Sequence, residues 1–372
     1  MKNDFLATVW NIIGVAGLLF AALAMIQCGG GGDEPAAGVD QLNLNDIVLG
    51  SGHTRQTYTG VPNDPLVPGL SYLRPAWKIE VGDPSVVVAV IDTGADWTHP
   101  DLRDVIWINH GEDINGDGKA DQSDLDGIDN DGNGYVDDII GWDFVRNDNN
   151  PMDTNGHGTE LSGVITTTAN NGIGITGCTW NCPIMPIRVR SSMETDYRIV
   201  AKGVLYAIEN GAKVINLSLG GHNMPPQVLK EAIEQAYANG ILIVAAAGNE
   251  NTSATLYPGG YPEIMAVAAV DSIGRKKSYS NYGSWVEISA SPDRITTFLG
   301  GGYDRSGGTS LSTPCVAALG ALLFSHYSDL TNVEVREIIK NTADSTDQVN
   351  PHHEGMLGAG KINFYRALRS RE

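Results

Sequence analysis

An α/β fold of three layers, a mostly parallel central sheet with helices on both faces, is predicted by two patterns in this sequence. Short β-branched apolar runs alternate with longer stretches of helical periodicity. The first run, at 85–91, is also continuously apolar, as expected of a strand buried on both faces. "SVVVAVI" (85–91) is the first strand, and a helix is predicted near 157–169. The strand "IMPIRV" (184–189), a helix near 198–210 and the strand "KVINLSL" (213–219) follow. A helix near 226–238 leads to the strands "ILIVAAA" (241–247) and "IMAVAAV" (264–270). Helices near 309–327 and 332–343 close the chain. In such sheets, sites form at the carboxyl ends of the strands.

The 372 residues, 42% of them hydrophobic, suffice for a large core. The net charge of −20, from 24 basic and 44 acidic residues, excludes a nucleic-acid partner, which needs a basic face. The charge is uneven: thirteen acidic side chains lie between Glu112 and Asp153, against Lys119 and Arg146.

Residues 1–28 read as a targeting segment. "FLATVWNIIGVAGLLFAALAMI" (5–26) is almost wholly apolar, and Cys28 follows it directly. That arrangement suits a lipoprotein acylated at Cys28, an uncleaved membrane anchor or a cleaved export signal. Each sends the protein out of the cytoplasm, membrane-anchored or secreted. Residues 29–60 read as a flexible tether and 61–372 as one domain, with the acidic stretch at about 112–153 as an insertion. Cys178 and Cys182 bracket "CTWNC" in a loop, where a disulfide and two free thiols are both open readings. Cys315 reads as a buried free thiol.

Polar residues stand at the ends of these elements. Asp92 in "AVIDTG" directly follows the first buried strand. His157 in "NGHGTELSG" starts a helix between two glycines, which let other backbone approach. Asn249 in "AAAGNEN" follows another buried strand, and Ser310 opens the helix in "GGTSLSTPCVAAL". Taken singly, each has a bland reading as turn residue or cap. Together they offer an acid, a base, an amide donor and a hydroxyl.

"VIDTG", "NGHGT", "NLSLGG", "AAAGNE", "SNYGSW" and "GTSLSTP" occur in the order in which the subtilisin-like serine proteases carry them. The chain resembles that family from roughly Asp64 to Ala367. The resemblance implies a serine endopeptidase with Ser310 as nucleophile, His157 as general base and Asp92 orienting the imidazole. It implies that Asn249 and the Ser310 N–H hold the oxyanion. Extended substrate would pair with Ser218, Leu219 and Gly220, and the same stretch with Ala247 and Gly248 would wall the specificity pocket. Leu256 falls where many relatives have a small residue, so a shallow pocket for small or medium apolar side chains is expected. An α/β-hydrolase is excluded, since it needs a G-x-S-x-G elbow and the order Ser, acid, His.

The acidic insertion reads as calcium chemistry. "DINGDGKADQSD" sets Asp113, Asn115, Asp117, Asp121 and Asp124 at EF-hand positions one, three, five, nine and twelve. Asp129, Asp131, Asn133 and Asp137 repeat the theme, with Ile140 at position twelve. The resemblance implies a further calcium site at Asp101 and Asn171 with the carbonyls of Ala169, Ile173 and Ile175, completed by Asp64. Asp143, Asp148 and Asn150 match another site of some relatives, where Arg146 replaces an acid and could substitute for the ion. Two departures are Glu160, where a second His is usual, and Cys315, also at a His position. Protein or peptide substrates and a monomer are expected. The alternative is a membrane-tethered pseudoprotease or a calcium-dependent peptide-binding protein.

Overall fold

The structure is a computed structural model that describes residues 41–45, 47–50, 55–66, 72–192 and 194–372. The apolar run 5–26, Cys28 and the tether up to residue 40 lie outside the described residues. A short helix, α1 (Arg74–Trp77), leads into β1 (Val88–Asp92). After the acidic insertion come β2 (Trp142–Asp143), α2 (His157–Ile165), β3 (Ile184–Arg188), α3 (Tyr197–Glu209) and β4 (Val214–Leu217). Then follow α4 (Gln227–Ala238), β5 (Leu242–Ala246), β6 (Ile264–Ala269) and β7 (Ile288–Ala290). The chain ends with β8 (Ile295–Phe298), β9 (Gly302–Arg305), α5 (Thr309–His326), α6 (Asn332–Asn341) and α7 (Phe364–Leu368).

The sheet runs β2-β3-β1-β4-β5-β6-β7 and every pairing in it is parallel. β1 shows why its sequence lacks alternation. Val88 and Val90 point into a core built with α2, α5 and α6, while Val87, Ala89 and Ile91 point into a second core with α3 and α4. Successive residues face opposite sides, and both sides are dry. α5 is apolar all round because it runs through the first core, buried from Leu311 to Phe324. The predicted elements are all present, with α2 ending at Ile165 rather than 169. β2, β7 and the antiparallel β8–β9 ribbon have no counterpart among the predicted elements; they are two to four residues long.

The tether reading needs correction. Leu42, Leu44 and Leu49 are buried against Trp97, Ile106, Ile108, Ala120 and Ile139. Leu49 and Ala120 exchange both backbone hydrogen bonds, at 2.9 and 3.1 Å. Three leucines that bury their side chains outweigh the freedom of a polar, turn-rich segment. The compact unit therefore begins at about residue 40. The cysteines among the described residues are free: Cys178 Sγ faces Arg294 Nη1 at 2.8 Å, while Cys182 Sγ lies 3.7 Å from Ser325 Oγ. Their sulfurs have separate partners, so "CTWNC" holds no disulfide.

Candidate active site

The carboxyl end of β1 carries Asp92, fully buried. Its Oδ1 accepts from His157 Nδ1 at 2.8 Å. The approach depends on glycine: a Cβ on Gly158 would lie 2.0 Å from the Gly94 carbonyl oxygen, so only a bare backbone lets α2 begin so close to β1. Gly158 N also donates to Thr93 Oγ1 at 2.8 Å. The first turn of α2 is held by Asp153, whose carboxylate accepts from Gly156 N, Thr159 N and Thr159 Oγ1. Its charge also suits the positive end of the helix.

Arg190, two residues beyond β3, completes this cluster. In register Asp92 lies beside Arg188, and Arg190 extends the same face by one step. Arg190 Nη2 reaches Asp92 Oδ2 at 2.8 Å and Oδ1 at 3.1 Å, with Nε at 3.3 Å. It also lies 3.2 Å from His157 Nδ1 and 3.5 Å from the Ser218 carbonyl. Burial alone would push the Asp92 carboxyl up, but His157 and Arg190 together hold it below the usual carboxylate range. For His157, burial opposes the imidazolium. The Asp92 charge and hydrogen bond outweigh it, Arg190 opposes them and Glu160 assists, so the ring is raised above its ordinary value.

Ser310 is the second residue of α5, which packs against α2. Its position is fixed through its backbone. Pro314, four residues on, has no N–H to give, so the Ser310 carbonyl is left without its helical donor. Ser218 Oγ donates to it instead, at 2.9 Å. Ser218 in turn accepts from Asn216 Nδ2 at 3.0 Å. Thr309 ties the helix start to the end of β5. Its Oγ1 accepts from Gly248 N at 3.0 Å, and its N–H donates to Asn249 Oδ1 at 2.8 Å. Because the Asn249 oxygen faces an obligatory donor, the Nδ2 donors turn the other way. The first-turn N–H groups of α5 have no intrahelical acceptors and add positive potential there. Among the described residues no hydrogen bond joins the Ser310 hydroxyl to His157; loose spacing of nucleophile and base is common in substrate-free sites.

Leu219, Ala247 and Leu256 are buried, and Leu256 Cδ2 sits where Cβ atoms added at Gly220 and Gly248 would be 2.7 and 3.2 Å away. Leu256 therefore packs against the backbone at Gly220 and Gly248. Gly221 and Tyr257 pair backbone to backbone at 2.9 and 2.8 Å. Asn281, to which the sequence alone assigns no role, is buried here: its Nδ2 donates to the Ala247 carbonyl and to Glu250, while its Oδ1 accepts from Glu250 N and Thr252 N.

The family model described as "Subtilase family" matches residues 83–360. The chain belongs to the subtilase family. Among curated relatives, the thermophilic serine proteinase of Bacillus sp. (strain AK1) is 36% identical over 316 residues, covering 82% of this chain and 69% of the relative. Thermitase of Thermoactinomyces vulgaris is 34% identical and covers 83% of this chain and 99% of itself. Among solved structures, a protease from Pseudoalteromonas arctica PAMC 21717 matches with a TM-score of 0.66 at 26% identity, over 84% of this chain and 100% of that one. This subtilase is a serine-type endopeptidase that acts on protein or peptide substrates.

The expected metal residues of the subtilase gather in two places. Asp64 accepts from Asn170 N, Gly172 N and Thr176 Oγ1, and Asp101 accepts from Asn171 Nδ2, Ile175 N and the Tyr303 hydroxyl. Both carboxylates thus grip the 169–176 loop, where the Ile175 carbonyl accepts from Thr167 Oγ1. In the insertion the two loops close alike. Asp113 accepts from the N–H groups three, four and five residues on, Gly116, Asp117 and Gly118. Asp129 does the same with Gly132, Asn133 and Gly134. Asn115 and Asp131 each accept from the N–H two residues on. Asp121 caps a short 3-10 turn through Ser123, and Asp124 is buried with its Oδ1 unpartnered. Asp137 Oδ1 accepts from Gly127 N at 3.0 Å. At Asp143 the cation is Arg188, whose Nη1 meets Asp143 Oδ2 in a short ion pair, so β3 supplies that positive charge. Arg146 N donates to the same carboxylate.

Proposed function

We propose that this subtilase is an exported, calcium-stabilised endopeptidase working through Asp92, His157 and Ser310. The observation that carries the reading is the 2.8 Å hydrogen bond from His157 to a buried Asp92, beside a helix whose first turn carries Ser310. Ser310 attacks the peptide carbonyl, His157 takes its proton and returns it to the leaving amine, and Asp92 fixes the tautomer and stabilises the imidazolium. The tetrahedral oxyanion sits between Asn249 Nδ2 and the Ser310 N–H, a placement supported by Thr309 holding the Asn249 oxygen away. Substrate extends along Ser218–Gly220, and Leu256 limits the pocket to small or medium apolar side chains. A serine-directed phosphonate is the test. It labels wild type and leaves Ser310→Ala unlabelled if the reading holds; a wild type that resists labelling and cuts no peptide library is the pseudoprotease instead.

Calcium suits the insertion on chemical grounds. Its donors are carboxylate and amide oxygens on tight glycine-containing turns, and a buried Asp124 oxygen lacks any partner. Asp113, Asn115, Asp117, Asp121 and Asp124 would hold one ion, and Asp129, Asp131, Asn133 and Asp137 another. Asp64, Asp101 and Asn171 would hold a third with nearby carbonyls. Bound ions stabilise the native state, so chelation should lower the melting temperature, and an unchanged melt removes calcium from the proposal. Export rests on the apolar run 5–26 and anchoring on Cys28. Among the described residues no helix is long and apolar enough to cross a membrane. Cys28→Ser should release a lipid-anchored enzyme into the medium.

A further inference from the structure

Glu112, Asp131 and Asp138 place one carboxylate oxygen each so that all lie within 4.8 Å of one another. Glu112 and Asp138 are completely buried, and Asp131 is exposed at the mouth. Among the described residues none of the three forms an ion pair with Lys, Arg or His. Their hydrogen-bond partners are neutral donors. Asn109 Nδ2 donates to Asp131 Oδ2 and Asp138 Oδ1, both at 2.9 Å. Asn133 Nδ2 donates to Asp131 Oδ2 and Asp138 Oδ2, and the Tyr206 hydroxyl donates to Asp138 Oδ2 at 2.6 Å. Glu112 Oε1 accepts from Asn130 N and Asp131 N, while its Oε2 is buried with no partner at all.

Three negative charges in so small a space, two of them away from water, are strongly unfavourable without a counter-charge. The alternative to a cation is protonation. Burial pushes Glu112 up to about 7, aided by Asp138 and Asp131 against the Asp131 and Asn130 N–H groups. Burial likewise pushes Asp138 up to about 6. Oxygens on a Ca²⁺ at about 2.3–2.6 Å stand up to roughly 5 Å apart, whereas on Mg²⁺ the limit is about 4.2 Å. Carboxylate oxygens no more than 4.8 Å apart are all within reach of one Ca²⁺.

We propose that Glu112, Asp131 and Asp138 form a calcium site of their own, seated beneath the two exposed acidic loops. It rests on the reading that the insertion takes calcium, and it shares only Asp131 with the second loop. The site has a rigid floor: Tyr206 belongs to α3, and its ring packs edge-on against Tyr135 and Phe144. One ion here ties residues 109–112, the turn 130–138 and α3 together.

The test uses the full chain in the Ser310→Ala background, so that no self-digestion intervenes. Calcium is titrated by calorimetry, and melting is followed with and without chelator. Glu112→Gln and Asp138→Asn should each lose one bound ion, or bind it more than tenfold more weakly, and lose part of the calcium-dependent rise in melting temperature. Asp117→Asn, in the exposed first loop, should keep that binding event. In chelator Glu112→Gln should melt no lower than its parent, since it removes a like charge. A merely structural Glu112 would lower the melt equally in calcium and in chelator. Glu112→Gln and Asp138→Asn binding as many ions as the parent, at the same affinity, would overturn this site and leave the loop sites standing. A parent that binds no calcium would overturn both.

Discussion

Arg190 alters what Asp92 can do for His157. A triad carboxylate normally raises the imidazole by its charge, and here a guanidinium at 2.8 Å neutralises part of that charge. The groups facing His157 are Asp92, Arg190 and Glu160. In the proposed mechanism His157 must be neutral to accept the Ser310 proton, so activity should fall as pH drops through its pKa. Arg190 lowers that pKa and extends the working range toward acid. Arg190→Leu should therefore shift the acid limb of kcat/KM to higher pH, and a folded variant with an unmoved limb would refute this role. The same change leaves Asp92 with one charged neighbour fewer and should also lower the melting temperature, since breaking a buried ion pair costs up to about 3–5 kcal/mol. Asn249→Ala should lower kcat by about 10²–10³, the size known for this donor in subtilisin, with KM little changed. Asp92, His157, Asn249 and Ser310 are visible in the sequence because each abuts an element end beside glycine or a buried run. Arg190 is not. Its meaning depends on the register that sets Asp92 beside Arg188, and no local pattern announces which strand neighbours β1.

At the scale of elements, proline and glycine do the positioning. Pro314→Ala would return an N–H to the Ser310 carbonyl and compete with Ser218 Oγ. The expected result is a KM raised several-fold with a smaller change in kcat, read by steady-state kinetics on a peptide. Gly158→Ala drives a Cβ to 2.0 Å from the Gly94 carbonyl oxygen and must push α2 off β1. A shift of about 1 Å at a catalytic base can cost 10²-fold, so its kcat/KM should fall at least that far. The long elements are legible because burial on both sides writes nearly unbroken apolar runs into β1, β5 and β6, and a mostly apolar helix into α5. The edge strands β2 and β7 and the β8–β9 ribbon are not. They are short, and β8 meets its neighbours through hydroxyls, with Thr296 and Thr297 donating to the Glu160 and Thr159 carbonyls of α2. Side-chain hydrogen bonds of this kind leave no hydrophobic period to read.

For the whole molecule, the N-terminal stretch from residue 41 to 50 behaves as part of the domain. Leu49→Ala removes a fully buried side chain and should destabilise by about 2–5 kcal/mol, measured by denaturant unfolding in the Ser310→Ala background. The sequence conceals this because its three leucines sit among polar residues in no regular period. Only the far side of the contact, Trp97, Ile106, Ala120 and Ile139, explains why they are buried.

Leu49 pairs with Ala120, which lies inside the acidic insertion, so the start of the domain and its acidic edge brace each other. Any processing event that frees the mature enzyme must then cut upstream of Leu42. A nick just beyond Leu49 would unplug the crevice over Trp97 and Ile106, and the trimmed product would be sticky, short-lived and itself prey to proteolysis.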